Sequence, residues 1–184
     1  MDAAFPRSLG RRVFSGPSWV HYGQAYVVAG SWDGDLAASF RGQANGLCGA
    51  AVPGLLFLIT GLHTGHVRFT VDVCASRPPV DDSWEEIVEV PFTVAAPEVT
   101  LEEWGGQAAY PLQLPAAEYR VRYCARGMQH GHDLDTSQDP DRPPDRYSLA
   151  FWPARPAPDR VVKQTSDIAA YWHAAATGLA GRQG

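Results

Sequence analysis

Alternation constrains this chain more than any other feature. In "HVRFTVDV" (His66–Val73), Val67, Phe69, Val71 and Val73 fall on one side, and His66, Arg68, Thr70 and Asp72 on the other. "VEVPFTV" repeats the rhythm: Val88, Val90, Phe92 and Val94 oppose Glu89, Pro91 and Thr93. A period of two sends successive side chains to opposite faces of a strand and lays no apolar stripe along a helix. Pro91 lacks the N–H that a ladder needs, so its strand belongs at an edge or a bulge. "EYRVRYCAR" gives the same pattern, with Tyr119, Val121, Tyr123 and Ala125 facing a core. Arg120, Arg122, Cys124 and Arg126 then form a solvated face, with Asp72, Glu85, Glu86 or Glu89 as cross-strand partners.

Further runs add strands at Gln24–Gly30, Leu36–Gly42, Leu55–Thr60, Glu98–Trp104, Tyr110–Leu114 and Tyr147–Trp152. "LLFLIT" is apolar on both sides and reads as a central strand. The 18 glycines and 15 prolines cluster between these runs as turn signals. About nine short strands without intervening helices predict an all-β fold, an antiparallel β-sandwich or jelly roll. "TSDIAAYWHAAATG" closes the chain with one C-terminal α-helix, capped at Thr165 or Ser166 and stopped at Gly178. Its stripe is Ile168, Tyr171, Trp172 and Ala175. The expected organisation is a flexible segment 1–17, a sandwich domain 18–155, and a proline-rich linker with its helix, 156–184, packed on the sandwich.

Charge narrows the function. A net charge of −5 lacks the basic footprint of a general nucleic-acid binder. The N-terminal segment has no apolar h-region, and the run near Leu55 is too short to span a bilayer, so a cytoplasmic protein without membrane contact is expected. Cys48, Cys74 and Cys124 are odd in number and widely spaced, which suits reduced thiols.

Catalytic signatures are sparse. No G-x-S-x-G elbow is present. "GQANGLCG" follows no βαβ pattern and lacks the lysine of a phosphate loop, so Asn45-Gly46 reads as a turn. "DLDTSQDPDRPPD" fails the calcium-loop pattern where glycine and a bidentate glutamate belong. No cofactor is expected and the protein is read as a non-enzyme. The rival is a jelly-roll metal-dependent enzyme or a metal or small-anion binder. It would use His63, His66, His130 and His132: two imidazoles from the His-x-His strand end at His130 and His132, plus a third ligand from another loop, would suit zinc or iron.

Surface character favours a protein partner. Asp81, Asp82, Glu85, Glu86 and Glu89 surround Trp84, and Glu102 and Glu103 adjoin Trp104. Carboxylates steer the approach of a basic partner, and aromatics supply buried contact. These nine residues are the expected partner-binding surface.

The segments "YGQAYVVAG", "DGDLAASFRGQ", "LLFLITG", "WEEIVEVPFTV", "YPLQLPAAEYRVRY" and "DRYSLAFWPA" follow one another in an order that resembles the ComJ competence-protein family, small bacterial inhibitors of a DNA-entry nuclease. The resemblance runs from Tyr22 to Ala154, and "VPFTV" and "LP-x-x-x-YR" are its most specific parts. The "TGLHTGHVRFTVDV" segment, read as a longer hairpin, the His/Asp loop and the C-terminal region depart from the family pattern. The resemblance implies a non-enzymatic β-protein that binds another protein, such as a nuclease, in the manner of an inhibitor or immunity protein. It implies no particular inhibitory residues.

Overall fold

The computed structural model describes residues 10–31, 35–95 and 98–180. The first half contributes β1 (Gly10–Val20), β2 (Gln24–Ala29), α1 (Leu36–Ser39), β3 (Cys48–Gly49), β4 (Leu55–Ile59), β5 (Thr64–Cys74) and β6 (Glu86–Val94). The second half adds β7 (Val99–Glu103), β8 (Ala109–Pro111), β9 (Ala117–Arg126), α2 (Met128–Leu134), β10 (Thr136–Ser137), β11 (Arg146–Pro153), β12 (Arg160–Lys163) and α3 (Asp167–Ala180).

Two sheets form a sandwich. The larger runs β1-β5-β11-β9-β6-β12, with β10 beside β5; the smaller runs β3-β4-β2-β7-β8. Pairing is antiparallel except where β10 and β11 run parallel to β5. The alternation read from sequence is the packing observed: Val67, Phe69, Val71, Val88, Val90, Tyr119, Val121 and Tyr123 are all buried in one core with Val27, Leu56 and Leu58. Each such side chain contributes about 1.5–3 kcal/mol on burial. Two tyrosines join the layers. The Tyr123 hydroxyl donates to the Ile59 carbonyl at 2.9 Å, and the Tyr147 hydroxyl accepts from Gly61 N–H at 2.7 Å. Their rings stack, with centroids 5.6 Å apart. β6 is not the edge strand expected from Pro91: β9 pairs Pro91 opposite Arg120, and β12 covers the Ile87–Glu89 stretch on the other side.

Several local expectations change. Leu36–Ser39 is helical rather than extended, because the Asp35 carboxylate caps the Ala38 N–H at 2.7 Å. Thr60–His63 does not turn a hairpin: β4 belongs to the smaller sheet and β5 to the larger, so the segment passes between layers. Residues 10–20 lie partly in the expected flexible segment, yet they form the edge strand beside β5; residues 1–9 lie outside the described residues. "RVVK", inside the expected linker, adds strand β12. His130 and His132 stand on helix α2 and not at a strand end, since Gly127, with φ 76°, turns the chain out of β9.

The arginine face of β9 is the largest change. Arg120, Arg122 and Cys124 are buried, not solvated. Loops rich in proline cover them: Arg122 Nη1 donates to the Pro78 and Pro79 carbonyls at 3.0 and 2.9 Å, and Arg120 Nη1 to the Ala157 carbonyl at 2.6 Å. All three cysteines are free and buried. Among the described residues, no helix is long and apolar enough to cross a membrane.

Candidate functional site

The strand registers bring five segments to one end of the sandwich: the β1–β2 turn, the Thr60–His63 passage, the end of β7, helix α2 and the start of α3. Between them opens a cleft of about 470 Å³ whose walls include Tyr22, His63, His132, Asp135, Asp167, Tyr171 and Trp172.

The turn is set by hydrogen bonds. Gly23 N–H donates to the His63 carbonyl and its own carbonyl accepts from Thr60 N–H, both at 2.9 Å. This holds Tyr22 at φ 56°, a left-handed conformation that costs a residue with a side chain. Its ring meets His21 at 4.1 Å, His63 at 5.3 Å and Trp104 at 5.4 Å between centroids. Even so, Tyr22 remains 54% exposed.

Opposite stands α3. Ser166 caps it through Ala169 N–H at 3.2 Å, and Gln129 of α2 accepts from Ile168 N–H at 3.0 Å. Glu86, wholly buried on β6, takes Thr165 N–H, the Thr165 hydroxyl and Ser166 N–H at 2.9, 3.0 and 2.8 Å. A carboxylate at a helix N-terminus answers the partial positive charge there. Ile168, Ala169 and Ala176 enter the core, while Tyr171 is left 61% exposed.

Asp135 ends α2 at φ 63° and ψ −49°. Its carbonyl accepts from His63 and Thr64 N–H at 3.0 and 3.1 Å, which ties α2 to the passage between sheets. Beneath α2, the buried Asp145 carboxylate receives the Tyr147 hydroxyl at 2.5 Å and Leu62 N–H at 2.9 Å; its other oxygen has no hydrogen-bond partner among the described residues. Burial pushes its pKa up to about 6, against the pull of those two donors.

The nine expected partner-binding residues divide. Asp81 and Asp82 are exposed, and Trp84, Glu85, Glu102 and Trp104 are half-buried. Hydrogen bonds from Ser83 hold the Asp81 carboxyl below its usual range. Glu85 accepts Gly127 N–H at 2.8 Å. Glu86, Glu89 and Glu103 are buried and committed to internal partners, which corrects their place on an open surface. Glu103 takes Trp19 N–H at 2.8 Å and the Tyr110 hydroxyl at 2.9 Å.

Glu89 gathers arginines. One oxygen accepts from Arg122 Nε and Nη2 at 3.0 and 2.9 Å and from Arg77 at 3.2 Å; the other meets Arg160 at 2.9 Å and Arg120 at 3.9 Å. Burial alone raises the Glu89 pKa, but hydrogen bonds from Arg122 and Arg77 outweigh it and hold the group below the usual carboxylate range.

The four histidines of the rival reading do not converge. His63 and His132 line the cleft. His66 packs its ring against Trp19 at 4.9 Å, and His130 is exposed on α2. Among the described residues, no three His, Cys, Asp or Glu side chains form a group able to hold a metal ion. Tyr22, Asp167 and an open Tyr171 were not among the expected site residues, and Asp135 entered only through the rejected calcium-loop pattern. "HYGQ" carried the one available signal, an aromatic residue in a Gly turn just before a strand.

No family model and no curated protein matches the sequence. Solved structures do. The chain is similar to the crystal structure of ComJ, inhibitor of the DNA degrading activity of NucA, from Bacillus subtilis. Identity is 17%, with 79% of this chain and 98% of that one covered and a TM-score of 0.54. It also aligns with crocagin biosynthetic gene J at 14% identity and a TM-score of 0.48, over 77% of this chain and 98% of that one.

Proposed function

We propose, from the fold shared with that nuclease inhibitor and from the cleft at the end of the sandwich, that this chain is a protein-binding module of the inhibitor type. Its docking surface is that end of the sandwich. The exposed rings of Tyr22 and Tyr171 flank the cleft, backed by Trp104 and Trp172, and carboxylates stand around them. Large aromatic side chains supply the buried contact of an interface, and unpaired charge at its rim steers encounter. ComJ acts on a DNA-degrading partner, which makes a nuclease the first partner to test here.

The observation that carries this reading is the pair of open tyrosines, one held by a left-handed backbone. The test compares the wild-type chain with Tyr22→Ala/Tyr171→Ala as bait, identifies the captured partner, and titrates both proteins into that partner's DNA-degradation assay. Wild type should suppress degradation at stoichiometric ratio and the double variant should not. A variant that binds and inhibits as well as wild type would remove the cleft from the interface.

A further inference from the structure

We infer that the cleft receives one cationic side chain, an arginine or a lysine, projecting from the partner; this rests on the protein-docking reading above. Asp135 and Asp167 both line the cleft, while none of its described lining residues is arginine or lysine. Neither carboxylate has a hydrogen-bond or ion-pair partner among the described residues, whereas Asp72, Glu86, Glu89 and Glu103 are all paired.

The position of Asp167 sharpens the point. It lies in the first turn of α3, where the helix end would ordinarily neutralise part of its charge. That end is already answered by the buried Glu86 carboxylate, through Thr165 and Ser166. The charge of Asp167 is therefore left for something outside the fold.

The remaining walls suit a cation. Tyr22, Tyr171 and Trp172 border the same space. A cation over such a ring gains about 0.5–2 kcal/mol, more as water is excluded. Carboxylates beside aromatic faces favour a flat, weakly hydrated guanidinium above other groups. Two of the three non-glycine residues with positive φ among the described residues, Tyr22 and Asp135, stand here, and the third, Gln113, does not. Backbone held in a costly conformation at a ligand site is what a preorganised receptor requires.

The test needs no known partner. N-acetyl-argininamide is titrated into the isotopically labelled full chain, with neutral N-acetyl-citrullinamide as its isostere. Saturable amide shifts should appear at Tyr22, Asp135, Asp167 and Tyr171, with millimolar affinity. The citrulline analogue should bind at least about tenfold more weakly, and Asp135→Asn/Asp167→Asn should weaken the arginine probe by a similar factor, a change of about 1.4 kcal/mol. Retained dispersion of the amide spectrum shows that the variant is folded. Absent saturation, or equal binding of the two probes, overturns the inference. If the arginine probe fails while Tyr22→Ala/Tyr171→Ala still loses the partner, docking stands and only the cation falls. If the tyrosine variant keeps its partner, both fall.

Discussion

Replacing Glu89 by glutamine should cost more stability than removing either of the exposed arginines bound to it. The carboxylate side chain is 3% exposed, and it is shared by Arg122 and Arg120, themselves 5% and 8% exposed, and by Arg77 and Arg160, each 51% exposed. Glu89→Gln leaves two buried guanidiniums without their counter-charge, a change that costs about 3–5 kcal/mol. Arg77→Ala or Arg160→Ala removes a half-solvated partner and costs about 0–1 kcal/mol. Against a total stability of about 5–15 kcal/mol, the first is severe and the others are minor. Urea unfolding reads the difference. With a slope of about 2 kcal/mol/M, Glu89→Gln lowers the midpoint by about 1.5–2.5 M and Arg160→Ala by less than about 0.5 M. In the Glu89→Gln background, Arg160→Ala should then cost nothing, because the double-mutant cycle isolates the shared contact. Equal midpoint shifts for Glu89→Gln and Arg160→Ala would refute the claim that one carboxylate organises the four arginines.

Three further outcomes follow from the same geometry. Glu86→Ala removes three hydrogen bonds from the start of α3; a local loss of about 2 kcal/mol gives roughly 30-fold faster hydrogen exchange in residues 168–176, with β9 amides unchanged. Asp145 has a folded pKa raised to about 6 above an ordinary value of 3.8, so the native state takes up its proton first. Its contribution is therefore more favourable at pH 5 than at pH 7 and is lost as pH rises through about 6. The wild-type chain should gain about 1–2 kcal/mol relative to Asp145→Asn over that interval in chemical denaturation, and parallel pH profiles would contradict it. Tyr22→Gly relieves a positive-φ position by about 0.5–1 kcal/mol but removes the ring contacts with His21, His63 and Trp104, worth a similar amount, so its unfolding midpoint should move by less than about 0.5 M while partner inhibition is lost.

The strands of the core were legible because their information is local: Val67-Phe69-Val71 and Tyr119-Val121-Tyr123 declare a buried face within a few residues. The other face of β9 was not legible. Its arginines are closed off by the Pro78, Pro79 and Ala157 carbonyls, which lie 44, 43 and 37 residues away in sequence. Helix α2 has seven residues, too few for a helical period to emerge, and Gly127 rather than any apolar stripe sets its start. At the candidate site, acids and aromatics were legible as residue types, and what decides their use was not. Glu86 and Asp167 look alike in sequence, yet one is spent on a helix end and the other is left open. The passage between sheets, mistaken for a hairpin, is what brings His63 beside Tyr22.

Strand β11 occupies the middle of the larger sheet, between β5 and β9, although it is made after both. A nascent chain halted before Arg146 holds two fragments, β1-β5 and β9-β6, with bare edges turned toward a vacancy. The larger sheet closes only once Pro153 has left the ribosome, so a product truncated ahead of that point presents unpaired strands to its neighbours and belongs to aggregation or to the proteases.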